Sequence, residues 1–265
     1  MNDAMKNADR FTGFADIYEQ VRPQMPLHSV EIITRYFGGK LDLVVDMGCG
    51  TGLSTLIWKG CCERVIGIEP NDDMLTVARQ KSDANISFIK AFAHETGLHS
   101  DCADVVVCSQ SFHWMDPVLT LKEVDRILKK NGMFATIDCD WPPVCNWRAE
   151  KAYSELFDKV SRVEKQNSNL NNSYFRWDKN GHLQKIKNSG YFRYAREIVF
   201  DNAESCDAER FIGLALSQGG LQNILKNSPE LIERDLKEFT KTIKDLFGGR
   251  EFEIFFNYRM RIGVR

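Results

Sequence analysis

"LDLVVDMGCGTGLST", residues 41–55, decides the fold. Its first half, apart from Asp42, is an apolar run up to Asp46 and Met47, the pattern of a strand buried on both faces. Its second half carries Gly48, Gly50 and Gly52 as G-x-G-x-G and passes into "LSTLIWKGC", read as a helix. Strand, glycine turn and helix in this order form the ligand-binding corner of an open α/β sheet. The dinucleotide fingerprint spaces its glycines as G-x-G-x-x-G; here the third arrives one residue early. Asp46 also argues against phosphate. A carboxylate about 4–5 Å from a pyrophosphate costs around 1 kcal/mol or more, even at a surface-like dielectric. Beside an ammonium group the same carboxylate helps. The corner suits a ligand with an amino-acid end and a nucleoside end.

Outward from this corner, strand and helix patterns alternate to about residue 140. "RVIGIEP" (64–70) is a second strand closed by Pro70. "NDDMLTVARQKS" (71–82) is a helix with Asn71 as cap, acids in its first turn and bases late, in keeping with the helix dipole. "ISFIKAF" (86–92) and "ADVVVCSQ" (103–110) are the third and fourth strands. "PVLTLKEVDRILKKNG" (117–132) predicts an amphipathic helix with Pro117 near its start and Gly132 just after its end. "GMFATIDCD" (132–140) is the fifth strand. Right-handed crossovers then imply a parallel, doubly wound α/β sheet.

Beyond residue 140 the pattern becomes helical over 147–166, 182–190, 206–226 and 229–247. Two strands interrupt it, "YAREIVF" (194–200) and "REFEIFFNYRMRIGVR" (250–265), expected to pair antiparallel at one sheet edge. The division expected is a core of 38–140, completed by 190–201 and 249–265. Segments 1–37, 141–189 and 202–248 would form a helical lid over the carboxyl ends of the strands.

Composition narrows the function. The 265 residues are 43% hydrophobic with a net charge of −2, which fits a packed core and lacks the basic balance of a nucleic-acid binder. No stretch approaches the about 20 apolar residues that span a bilayer, and the first residues have no apolar signal region. A cytoplasmic protein with no nucleic-acid or membrane partner is expected. The eight cysteines are scattered without a CxxC pair, as reduced, packed cysteines are.

Glu69, at the tip of the second strand, is placed to accept both hydroxyls of a ribose. With D-x-G-x-G-x-G before it, the chain resembles the class I S-adenosylmethionine-dependent methyltransferases. Within them it is similar to the small-molecule branch that includes the ubiquinone/menaquinone and trans-aconitate enzymes. The resemblance covers about residues 8–140 and is weak beyond. It implies a Rossmann-like seven-stranded fold and S-adenosylmethionine as cofactor, with S-adenosylhomocysteine as product.

Carried onto these residues, the resemblance places Asp46, Gly48, Cys49 and Gly50 along the methionine end of the cofactor. Glu69 would hold the ribose, with Pro70 and Met74 near the adenine. The family's adenine-contacting acid falls at Phe92, so an apolar contact there and backbone recognition at Ala93 and His94 are expected. "CSQSFHWMD" (108–116) puts Ser109, Gln110 and Ser111 at the cofactor's amino-acid end. His113 and Trp114 resemble the family's H-W signature; with Trp141 they are assigned to the acceptor side. His113 is the candidate general base. In "FADIYEQVRPQMP" (14–26), Tyr18 and Arg22 share a helix face; Arg22 is expected to pair with the methionine carboxylate and Tyr18 to bind or act as a second base. Tyr174, Phe175, Arg176 and Trp177 are read as a loop that gates the site or is merely pinned by its aromatics.

Methyl transfer from a sulfonium is an in-line displacement, so alignment and water exclusion matter most. A carboxylate or thiolate acceptor needs no base, whereas a phenol, amine or carbon acid does. A small-molecule methyltransferase is the main expectation. An NAD-dependent oxidoreductase and a non-catalytic cofactor-binding sensor or scaffold stay open beside it.

Overall fold

The computed structural model describes residues 7, 21–167, 170 and 175–265; Tyr18 and Tyr174 lie outside them. Its elements run α1 (Leu27–Phe37), β1 (Leu43–Met47), α2 (Leu53–Leu56), β2 (Arg64–Ile68), α3 (Asp72–Arg79), β3 (Ile86–Ile89), β4 (Ala103–Ser109), α4 (Pro117–Ile127) and β5 (Leu128–Cys139). They continue with α5 (Trp147–Gln166), α6 (His182–Asn188), β6 (Tyr194–Cys206), α7 (Ala208–Leu216), α8 (Gly219–Asn227), α9 (Glu233–Phe247) and β7 (Phe252–Val264).

One seven-stranded sheet has the order β3-β2-β1-β4-β5-β7-β6. Strands β1 to β5 pair in parallel, and β7 inserts antiparallel between β5 and β6. Chain order reverses between β1 and β4, which opens a crevice at the carboxyl ends of those strands. All five residues of β1 are buried, as the apolar run around Asp46 requires of a central strand.

Period-two alternation divides the core. Met133, Ala135, Ile137 and Cys139 of β5 face one cluster, which includes Tyr153 and Leu156 of α5, Phe211 of α7 and Phe239 of α9. Phe134 faces the other, with Phe112, Val124 of α4 and Ile186 of α6. Asp138 follows Phe134 and Thr136 on that second face, a buried carboxylate at the end of the strand. The Asn71 side chain caps α3 as the sequence signals, accepting from Met74 N–H; at α4, Asp116 accepts from Val118 and Leu119 N–H ahead of Pro117.

The elements depart from the sequence reading in four places. Helix α4 ends at Ile127, not before Gly132, because Leu128 is already extended and pairs with Ala103. Asn131 takes φ 69°, and "KKNG" becomes an irregularity within β5. Helix α2 is only four residues long. The span 206–226 is broken at Gln218, extended at ψ 125°, into α7 and α8. Strand β6 runs on to Cys206, since β7 pairs with it along its whole length. Among the described residues no helix is long and apolar enough to cross a membrane.

Candidate active site

The crevice holds a cavity of about 410 Å³. Its floor is the glycine turn. Gly48 and Cys49 N–H both donate to Ile68 O, at 2.8 and 3.1 Å, which fastens the turn to the tip of β2. Gly48, Gly50 and Gly52 have φ of 67°, 57° and 88°, a left-handed region that glycine enters at little cost. At Gly48 the neighbours leave no room either. A Cβ there would lie 2.7 Å from Met115 Cε and from Ser111 Cβ. Gly48→Ala is therefore expected to destabilise the fold by about 2–4 kcal/mol, read as a lower urea midpoint; an unchanged midpoint would mean that the turn relaxes freely. At Gly50 the reverse holds, since a Cβ would meet nothing within 4 Å, and this glycine lines the cavity.

Two carboxylates lie at the strand tips. Glu69 lines the cavity and accepts from Gly50 N–H and Asn71 N–H, both at 2.9 Å. Burial lifts its pKa to about 7 against the pull of these two bonds. Asp46 is fully buried and is not among the cavity's lining residues. Its Oδ2 accepts from Ser54 Oγ at 2.6 Å and Thr55 Oγ1 at 2.8 Å, while Oδ1 has no hydrogen-bond partner. Burial raises its pKa to about 6, against the two hydroxyls. Its charge thus acts from beneath the turn, through the first turn of α2, rather than by direct contact from within the cavity.

The remaining sequence candidates divide cleanly. Gly48, Cys49, Gly50, Pro70 and Met74 line the cavity, and so do Phe92, Ala93, His94, Ser109, Gln110 and Ser111. Arg22, Trp114 and Trp141 line it as well. Arg22 Nη2 donates to Ser217 O at 2.9 Å, and its guanidinium sits 5.0 Å over the Trp141 ring.

His113 is the exception. It is 5% exposed and absent from the lining. Its backbone follows the turn at the end of β4, which carries the ring onto the Asp138 face of the sheet. Nδ1 lies 3.6 Å from Asp138 Oδ1, beyond hydrogen-bond length. Burial pushes the imidazole down to about 3, so it is neutral at physiological pH. The Tyr18 assignments lie outside the described residues.

The structure adds residues that the sequence reading passed over. Asn7 lines the cavity and stitches two distant segments together. Its Nδ2 donates to Trp114 O at 2.7 Å and to Phe175 O at 2.8 Å, and its Oδ1 accepts from Phe175 N–H at 2.9 Å. Met25 and Leu119 form part of the wall, together with Phe175 and Trp177 of the loop read from the sequence as a gate or a pinned surface loop.

Beneath the wall lies a polar cluster. Asp138 Oδ2 accepts from Arg261 Nη1 at 2.9 Å and faces His182 Nδ1 at 3.0 Å. Lys179 Nζ stands 3.3 Å from Oδ1. Arg261 also donates from Nε to Glu197 at 2.7 Å. Burial alone would raise the Asp138 pKa; the neighbouring imidazoles and the Lys179 ammonium hold it well below the usual carboxylate range.

These features fit a cationic nucleoside carrying an amino-acid end. An acid lines the cavity, a second lies below the turn, and the turn itself presents open space at Gly50. Comparison with known proteins agrees. Residues 45–136 match the methyltransferase domain family. A probable S-adenosylmethionine-dependent methyltransferase of Saccharomyces cerevisiae is 32% identical over 124 residues, 44% of this chain and 43% of that protein. The aligned part is thus under half of the yeast protein's length. An uncharacterised methyltransferase-like protein of Schizosaccharomyces pombe is 26% identical over 88% of this chain and 86% of its own. The solved structure of a proposed type II methyltransferase from Anaeromyxobacter dehalogenans superposes with a TM-score of 0.71 at 18% identity, covering 92% of this chain and 97% of that one. Matched stretch and sheet order agree: residues 45–136 carry a methyltransferase domain, on the fold of the class I methyltransferases that use S-adenosylmethionine as cofactor.

Proposed function

We propose that this chain transfers a methyl group from S-adenosylmethionine to a small-molecule acceptor held against the aromatic part of the same cavity. The observation that supports this reading is the continuity of that space. Glu69 and the glycine turn line it together with Trp114, Trp141, Phe175 and Trp177, so cofactor and acceptor would share one chamber. In this reading Glu69 holds the ribose, the turn from Gly48 to Gly50 receives the methionine end, and Pro70, Met74 and Phe92 pack around the adenine. Bound cofactor supplies a methyl already activated by its sulfonium. The protein's task is then alignment and exclusion of water.

His113, neutral and turned away from the cavity, serves as a structural element of the wall: its carbonyl accepts from Trp177 N–H at 2.8 Å. An acceptor that needs no deprotonation suits this site best. The described residues of 141–189 and 202–248, with 21–26, are assigned the role of an acceptor-selecting cover over the core.

Calorimetry tests the reading. Saturable binding of S-adenosylhomocysteine without binding of NAD is expected, and heat with NAD alone would favour an oxidoreductase. Glu69→Gln is expected to weaken that binding about 5- to 150-fold, the equivalent of roughly 1–3 kcal/mol of lost hydrogen bonding. If only the melting temperature moved, Glu69 would be a cap and nothing more. Transfer of label from methyl-labelled cofactor to cell-extract metabolites separates an enzyme from a sensor.

A further inference from the structure

Lys179 reaches from the segment after Trp177 to the carboxyl ends of β4 and β5. Its Nζ donates to Gln110 Oε1 at 2.9 Å while standing 3.3 Å from Asp138 Oδ1. An ammonium has donors only, so the carboxamide atom that it meets is the oxygen. That contact fixes the other end of the amide. Gln110 Nε2 is buried without a hydrogen-bond partner on a residue that lines the cavity. The backbone is committed as well: Gln110 has φ 54°, unusual for a residue with a side chain, and its N–H donates to Ile137 O at 2.9 Å. A strained backbone and an amide pinned at one end leave a donor in reserve, and such features gather where a ligand completes the structure.

The segment that carries Lys179 is tied to the same turn on its other side. Trp177 N–H donates to His113 O, and Asn7 joins Phe175 to Trp114 O. Asp138 offsets the cost of burying the ammonium, which also has the Arg22 charge nearby.

We propose that Lys179 is a positioning residue of the cofactor site: it holds the Gln110 carboxamide so that Nε2 donates to the amino-acid end of S-adenosylmethionine, and it thereby couples the seating of residues 175–181 to cofactor occupancy. This rests on the functional reading above. Coupling of this kind is reciprocal, so cofactor steadies the segment as much as the segment favours cofactor.

The experiment measures S-adenosylhomocysteine affinity by calorimetry in the wild type and three variants. Absence of binding by folded wild type would remove the functional reading itself. Given wild-type binding, Gln110→Glu keeps an oxygen for Lys179 but replaces the donor with a second acceptor. Its affinity is expected to fall at least 10-fold while its melting temperature holds or rises. Lys179→Met is expected to lose at least 10-fold in affinity, and S-adenosylhomocysteine should no longer slow hydrogen exchange at the Trp177 amide. Lys179→Arg, which retains donors, is expected to recover most of both effects. Affinities within twofold of wild type in Gln110→Glu and Lys179→Met overturn the proposal, whatever happens to stability. Should Lys179→Met fail to fold, Gln110→Glu and Lys179→Arg decide alone: unchanged affinity in the first, or a loss in the second as deep as in the first, overturns it.

Discussion

Asp46→Asn should make the ligand-free protein more stable while weakening its hold on cofactor. Asp46 is fully buried and its pKa is raised to about 6, chiefly by loss of solvent. The folded state therefore retains a proton that the unfolded chain, with an aspartate near its ordinary value of about 4, releases earlier. Stability falls as pH rises from about 4 through about 6, and above that window the buried charge costs about 3 kcal/mol, at 1.36 kcal/mol per pH unit. An asparagine keeps an oxygen for the Ser54 and Thr55 hydroxyls. Its amide nitrogen replaces an oxygen already without a partner. The gain over wild type should be near zero at pH 4 and approach about 1–3 kcal/mol at pH 8. Cofactor affinity should drop about tenfold or more, because a negative charge beneath the methionine end is gone. Denaturation curves at both pH values and one calorimetric titration check the two halves. A variant that is destabilised equally at both pH values would show that the carboxylate's role is geometric, not electrostatic.

The largest loss of stability is expected at Arg261. Its side chain is almost wholly buried, at 1% exposure, and it bonds two carboxylates from different strands: Asp138 on β5 and Glu197 on β6. Arg261→Met preserves much of the volume and removes the charge. Among the described residues Glu197 then keeps Arg259 alone, at 3.4 Å, and Asp138 must rely on Lys179 and His182. Breaking a buried pair from one side costs about 3–5 kcal/mol. The urea midpoint should fall accordingly, and Glu197→Gln in the same chain should restore part of the loss by removing one stranded charge. A loss below about 1 kcal/mol would show that the remaining cations suffice.

What the sequence disclosed and what it concealed follow from the range of the interactions. Strands β1, β2 and β4 were legible because short apolar runs bounded by turn residues report their own burial, and Asn71 and Pro117 because capping is local. The end of α4 was not. "RILKKNG" suits a helix by composition, but Leu128 pairs with Ala103 across the sheet, a partner that no local pattern names. The glycine turn and Glu69 could be assigned to one site because a βα corner has a fixed shape. Asn7 could not, since its partners, Trp114 and Phe175, lie 107 and 168 positions away in sequence. His113 was read by its position after β4, but position alone does not say to which side of the sheet the ring will turn. Asp138 settles that, and its importance was invisible while Arg261, His182 and Lys179 lay scattered over distant stretches.

The insertion of β7 between β5 and β6 has a consequence for synthesis. Asp138 and Glu197 emerge from the ribosome well before Arg261, which sits on the strand that separates theirs. A nascent chain that has exposed the entire glycine turn and Glu69 still lacks the guanidinium that bonds both of these carboxylates. Cofactor captured at that stage would meet an unfinished support. The carboxylate layer beneath Gln110 is therefore completed by a side chain 123 positions beyond Asp138 in the sequence.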